Sequence, residues 1–382
     1  MKSKYLILST GFALFSMFFG SGNLVFPLIV GKESGGHFIL AALGICLTGV
    51  LIPFLGAIGI MLFNGNSQRF FGIMGKPATF WFPLLALSLM GPFGVLARCI
   101  TVAHGSFRLI FPHVSLISFS LASCLVIYLI ALNKQQIVSK LGTWLTPFLL
   151  LTLAGISVMG VLYSPPLTEL PNNSLPAFTN GFLQGYQTMD LLAAFFFSTF
   201  IIHHLTQAAT TVSPSFNVKG VFLAASCVGV GLLSAIYISL VYLGTAYSSL
   251  LIDVPPQEML GKIAQETMGP LAAPIVCLAV ILACLTTAIV LAVLFSDFLK
   301  KEIAKDKIND PFAMVCTLAI AFAVSTLDFS GIASILAPIL EAVYPALIVL
   351  TVINICSQVW GIKERRWPVV ATLAAKLVTW IP

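Results

Sequence analysis

Apolar residues run through this chain in long blocks, and short polar clusters separate the blocks. A helix needs ~20 mostly apolar residues to cross a bilayer. Blocks of that length predict helices near 5–31, 38–63, 78–106, 114–132, 141–163, 180–203, 219–246, 269–298, 311–328 and 331–360, followed by a last apolar stretch at 367–382. At ~1.5 Å per residue that last stretch reaches only about 24 Å, short of a ~30 Å hydrocarbon core. The pattern therefore predicts an all-α, polytopic membrane protein with ten full transmembrane helices and a short C-terminal eleventh.

Two blocks carry polar residues where a stable span would carry Leu or Ala. The first contains Phe18-Phe19-Gly20-Ser21-Gly22-Asn23-Leu24-Val25-Phe26-Pro27. Irregular backbone at membrane depth is tolerated only where it is buried in protein or lines a wet cavity, so this block predicts a helix broken at Gly20–Asn23. The bland alternative is a small-residue packing face, but close packing does not call for Ser-Gly-Asn in succession. The sixth block repeats the feature with Gly181-Phe182-Leu183-Gln184-Gly185-Tyr186-Gln187-Thr188-Met189-Asp190-Leu191. Helices 1–5 and 6–10 start on opposite sides, so they predict two inverted five-helix halves, 1–163 and 164–360, with 361–382 as a truncated C-terminal helix of a single transporter domain. Paired interruptions in corresponding helices point to a transporter's binding site.

Composition narrows the class further. Of 382 residues, 59% are hydrophobic and 8% charged, with a mean hydropathy of +1.04; a soluble domain carries about 25% charged residues. Of the nineteen Lys and Arg residues, Lys32, Arg108 and Lys262 fall in loops on one side, and Arg98 and Lys376 lie inside apolar stretches. The remaining fourteen lie on the N-terminal side, which places the N-terminus in the cytoplasm. The net charge of +6 thus reflects topology and implies no nucleic-acid partner. Lys2 and Lys4 before the first block read as the flank of an uncleaved first helix, not a signal peptide. The eight cysteines all fall in apolar segments without metal-ligand spacing, as inert thiols.

Several embedded residues carry chemistry. Freed N–H groups at Gly20, Ser21, Gly22 and Asn23 would direct a positive dipole end at an anionic group. Asp190 is the only acid in the sixth helix; a mid-membrane carboxylate marks an ion, proton or substrate path, or else an ion pair with Arg98 that locks the bundle. Gln187 and Thr188 beside it would present oxygens to an ammonium or cation. Thr286 and Thr287 either bond back to their own helix or supply hard oxygen ligands to an alkali cation. Glu341, between Pro338 and Pro345 in a helix those prolines should distort, is a candidate to pair with Arg98 as a gate, to carry a proton, or to form an immobile pair. His203 and His204 point about 100° apart on a helix and cannot easily share a metal. An intramembrane enzyme would need a clustered acid/base or metal constellation, and a channel a continuous polar lining; neither pattern is present.

The motifs around Gly20–Pro27, Gly91-Pro92-Phe93-Gly94-Val95-Leu96-Ala97-Arg98, Gly185–Ala194 and Ala283-Cys284-Leu285-Thr286-Thr287-Ala288-Ile289 resemble those of the bacterial branched-chain amino acid:cation symporter family, in an order that fits the chain up to about residue 360. That resemblance implies a LeuT-type 5+5 inverted-repeat fold in the bacterial cytoplasmic membrane. It also implies import of leucine, isoleucine and valine by symport with Na⁺, or alternatively H⁺, with no obligate protein partner. By the same resemblance, Ser21 and Gly22 amides would hold the substrate carboxylate, and Gln187, Thr188 and Asp190 its ammonium. Carbonyls of Ser16, Phe19 and Ala283 with the hydroxyls of Thr286 and Thr287 would hold Na⁺. Phe93, Met189 and Phe195 would wall the branched side chain. The family usually has twelve helices, whereas this chain stops within the eleventh.

Overall fold

In hydrocarbon a chain can satisfy its own amides only within helices or closed barrels. Among the described residues every regular element is helical. The structure is a computed structural model that describes residues 2–131, 137–167, 175–212, 217–269, 272–362 and 365–378. Of the residues used for orientation, Lys134 and Lys363 lie outside them.

In chain order the first helices are α1 (Lys2–Phe18), α2 (Ser21–Lys32), α3 (Phe38–Cys46), α4 (Ile52–Leu62), α5 (Ser67–Gly72) and α6 (Ala78–Met90). There follow α7 (Val95–Arg108), α8 (Leu116–Ala131), α9 (Ile137–Leu162), α10 (Leu175–Gln187), α11 (Asp190–Val212) and α12 (Val218–Ala246). The last are α13 (Met259–Met268), α14 (Ala272–Phe298), α15 (Asp310–Ser325), α16 (Asp328–Trp360) and α17 (Trp367–Val378).

By length and apolarity, five stretches can cross a membrane unaided: Phe38–Leu62, Ala78–Arg108, Val218–Ala246, Pro274–Ile303 and Asp328–Trp360. Two more qualify as bent pairs, Lys4–Phe18 with Ser21–Lys32 at 72° and Leu175–Gln187 with Asp190–Gln207 at 44°. Leu116–Ala131, Pro147–Leu162 and Asp310–Ser325 are shorter apolar helices, at the places predicted for spans four, five and nine.

Three details depart from the sequence pattern. The third predicted helix is not continuous, because a turn at Gly91–Gly94 separates α6 from α7; Pro92 has no N–H to continue the ladder. Conversely, α16 runs through Pro338 and Pro345 as one helix. The second span contains a π turn at Leu47–Leu51, where Thr48 Oγ1 donates to the Phe182 carbonyl of α10 at 2.7 Å.

Each half of the two broken helices is seated on a neighbour through glycine. A Cβ on Gly31 of α2 would strike the Val241 carbonyl of α12, and one on Gly244 of α12 the Leu28 carbonyl of α2. A Cβ on Gly44 of α3 would meet the Phe178 carbonyl of α10, and one on Gly181 the Ala41 carbonyl of α3. Gly11 of α1 lies against Ala225 and Val228 of α12, and Gly56 of α4 against Leu191 of α11. Lipid tails are as apolar as leucine, so membrane helices gain from close van der Waals approach, and small residues permit it. The first broken helix thereby rests on α12 and the second on α3 and α4.

These seams carry a prediction. Gly181→Ala should force the α3 and α10 backbones apart at an overpacking cost of about 1–3 kcal/mol and lower the thermal unfolding temperature in detergent. Gly155→Ala, where nothing lies within 4 Å of the new methyl, should not. Equal thermal stability of the two variants, measured by size-exclusion after heating, would contradict the seam.

Candidate functional site

The first break begins where α1 stops. Gly20 is extended (φ −115°, ψ −166°). Its N–H, which in a continuous helix would reach back to the Ser16 carbonyl, donates instead to Asn23 Oδ1 at 2.9 Å. Asn23 is the third residue of α2, so its side chain satisfies a donor at the helix start in the manner of a capping box. In the second break, Thr188 Oγ1 donates to the Gly185 carbonyl at 2.9 Å. Met189 then adopts φ +60°, a left-handed conformation that a Cβ-bearing residue holds only when its surroundings impose it. Asp190 opens α11, where the helix dipole favours a negative charge.

A single set of side chains joins both breaks. Asn23 Nδ2 donates to Asp190 Oδ2 at 2.7 Å and to the Tyr237 hydroxyl at 2.6 Å. Tyr237 in turn donates to Asp190 Oδ2 at 3.2 Å. Both protons of the Asn23 amide and its carbonyl oxygen are thus engaged, tying α2, α11 and α12 together. Asp190 is 2% exposed, so in this low-dielectric setting the contacts matter more than they would in water.

The two alternatives that paired Arg98 with an acid are not what the structure shows. Arg98, 1% exposed, donates from Nη1 to the Gln187 carbonyl and from Nη2 to Gln187 Oε1, both at 2.7 Å. Gln187 ends α10, whose last carbonyls have no intrahelical donor, and a cation is favoured at that dipole end. The guanidinium is drawn there, not to Asp190 or Glu341. Glu341 stands half-buried on α16.

Gly20, Ser21, Gly22, Asn23, Arg98, Gln187, Thr188, Met189, Asp190 and Thr287 line one narrow cavity together with the apolar Met17, Met90, Phe197 and Leu291. The cavity is tight: a water-sized body finds about 20 Å³ of free room in it, within about 400 Å³ of gaps between the lining atoms and adjoining solvent. Phe93 does not join them: it is 45% exposed on the Gly91–Gly94 turn. Phe195 is likewise elsewhere, packed with the rings of Phe70 and Phe71 at 5.1 and 5.3 Å.

Among the residues expected to hold a cation, Thr286 and Thr287 spend their hydroxyl protons on the Ala283 carbonyl, at 2.9 and 3.0 Å. Their oxygens keep lone pairs for a hard cation, whereas the Ala283 oxygen is already engaged. The Thr287 methyl lies 3.7 Å from where a Cβ on Gly20 would stand, which brings α14 across the first break. Ser16 lies in the last turn of α1, and Phe19 stacks on Phe15 at 5.1 Å; neither lines the cavity, nor do Ala283 and Thr286. His203 and His204 are exposed. No group of three or more potential metal ligands occurs among the described residues.

Sequence reasoning missed Tyr237, the partner of Asp190, and Cys99, whose Sγ donates to Ser21 Oγ at 3.5 Å. A phenol inside the apolar run Leu232–Val241 was the available signal, because a buried tyrosine hydroxyl usually finds a partner.

Comparison with known proteins places this geometry. Solved structures of Mhp1, a nucleobase-cation-symport-1 family transporter, share the fold. The closed, ligand-bound form matches with a TM-score of 0.62 over 90% of this chain and 77% of that one, at 12% identity. The inward-facing form gives 0.59 over 91% and 77%, at 13% identity. The chain is 32% identical to the branched-chain amino acid permease BraB of Bacillus subtilis, over 95% of this chain and 82% of that one. It is 30% identical to the branched-chain amino acid transport system 3 carrier protein of Pseudomonas aeruginosa, over 94% and 82%. The family described as branched-chain amino acid transport protein matches residues 3–380. The chain therefore belongs to the branched-chain amino acid transport family, as a multi-pass membrane transporter and not an enzyme.

Proposed function

We propose that this protein imports leucine, isoleucine and valine across the bacterial cytoplasmic membrane by symport with Na⁺. Ten spans form two inverted halves, 1–163 and 164–360, with the N-terminus inside, and alternating access moves one half against the other. Five unaided spans, two bent pairs and three shorter apolar helices support that number. The first broken helix packs on α12 and the second on α3 and α4; exchanging the halves turns one arrangement into the other.

The observation that carries the reading is the meeting of both breaks at one cavity, braced by Asn23, Asp190 and Tyr237. Such a site offers a zwitterion what it needs: donors at the start of α2, a carboxylate at the start of α11, and apolar walls for a branched side chain. An apolar pocket separates substrates differing by a methylene by only ~1–3 kcal/mol, so the three amino acids overlap. Na⁺ is assigned to the space between the end of α1 and Thr286 and Thr287, where hydroxyl oxygens suit a hard cation. Its binding would hold the first broken helix in the shape that accepts substrate. The buried carboxylate of Asp190 favours a second reading, in which H⁺ is the coupling ion.

Counterflow of radiolabelled leucine in proteoliposomes tests the proposal. Uptake should rise with an inward sodium gradient, and Na⁺ and leucine should raise each other's affinity by the same factor; identical leucine binding in sodium and choline buffers would exclude Na⁺ coupling. Replacing Thr286 and Thr287 together by Ala should weaken sodium activation while leaving substrate preference intact, read from the sodium dependence of uptake. Asp190→Asn should cost about 2–5 kcal/mol of leucine affinity by unpairing a buried charged contact, which is roughly thirtyfold or more. If H⁺ is the coupling ion, the pH dependence of uptake should vanish in that variant.

A further inference from the structure

Arg98 has more donors than its own protein uses. A guanidinium carries five N–H groups in a rigid fork. Among the described residues two of them are bonded, both to Gln187, while the buried Nε–H has no partner. Arg98 forms no ion pair among the described residues, yet it is 1% exposed and lines the central cavity. What surrounds it is weakly negative at most: the carbonyl end of α10, and the rings of Phe26 and Phe329 at 5.1 and 5.6 Å from its central carbon. A buried charge is costly unless paired, and these contacts leave it without a counter-ion.

Position suggests what completes it. Arg98 lies in the first turn of α7, and the next residue, Cys99, touches Ser21 at the start of α2. The guanidinium stands 5.1 Å from the ring of Phe26 in α2 and lines one cavity with Ser21 and Gly22 at the amino end of α2 and Asp190 at the amino end of α11. The cavity is lined by one buried guanidinium and one buried carboxyl group that do not pair with each other. A zwitterion supplies the missing partner to both. The planar fork matches a carboxylate in bidentate fashion, which a lone ammonium or a single backbone amide does not.

We propose that Arg98 binds the α-carboxylate of the transported amino acid, opposite Asp190, which takes the ammonium. The assignment rests on the reading of the protein as a branched-chain amino acid transporter. It changes the site inferred from sequence, because the amides of Ser21 and Gly22 become supporting donors and not the main anchor. Inorganic chloride shares the chemistry of a monoanion, and the test separates the two.

The experiment uses the full-length protein in proteoliposomes and competes radiolabelled leucine with unlabelled leucine, leucinamide and 3-methylbutylamine. All three keep the branched side chain and the ammonium, but only leucine has the carboxylate. The unaltered protein should prefer leucine to either analogue by at least a hundredfold. Arg98→Gln should raise the half-saturating leucine concentration at least thirtyfold while leaving competition by the analogues nearly unchanged, so that the preference collapses. A residue that only shapes the site would weaken all three together. Arg98→Lys, which keeps the charge and loses the fork, should fall between and keeps the test open if the Gln variant does not fold. Full preference for leucine retained in Arg98→Gln, or in Arg98→Lys should that variant alone fold, overturns the assignment. So does leucinamide competing as well as leucine in the unaltered protein while uptake requires chloride in place of gluconate. Absence of any leucine uptake by the unaltered protein overturns the transport reading itself, and the assignment with it.

Discussion

The three hydrogen bonds among Asn23, Asp190 and Tyr237 are the constraint on which the interior of this protein depends. Breaking two helices at membrane depth strands amides and carbonyls in a medium with no water to receive them. One asparagine answers much of that demand. Its oxygen takes the Gly20 N–H and its amide ties the first break to the second and to α12. The same residues that make the breaks tolerable therefore make them adjacent, and adjacency is what a binding site requires.

Charge is arranged by the same logic. Arg98 sits at the carbonyl end of α10 and Asp190 at the amide end of α11, each where the local dipole favours its sign. Both are buried, and neither neutralises the other. The arrangement places a guanidinium and a carboxyl group in the lining of one cavity without joining them. The glycine seams at Gly31–Gly244 and Gly44–Gly181 let the broken halves approach their neighbours closely, so the outer ends are held while the breaks stay polar.

Much of this was legible along the chain. The helix bounds follow from block length: 219–246 was expected and Val218–Ala246 is found; 38–63 was expected and Phe38–Leu62 is found. The two breaks were visible because Gly-Ser-Gly-Asn and Gln-Thr-Met-Asp are costly inside hydrocarbon. The interruption at Gly91–Gly94 was not read, since two glycines and a proline within an apolar block also fit a kinked but continuous span. Phe93 was expected to wall the cavity but the turn carries it away. Thr286 and Thr287 fulfil their structural alternative, bonding back to Ala283, and the same geometry leaves their oxygens open to a cation.

Partner choice was beyond the reach of the sequence. Arg98 could be seen to need a counterpart, yet Gln187 is 89 residues away, and two acids looked like better candidates. Tyr237 lies 214 residues from Asn23 and resembles any other aromatic residue in a span. Hydrocarbon punishes polar groups one residue at a time, so the chain alone determined where the helices break and which chemistry stands there. Hydrogen bonds depend on which helix ends meet and at what angle, and only the tertiary structure decided that Asn23 braces both breaks while Arg98 caps a helix and keeps donors to spare.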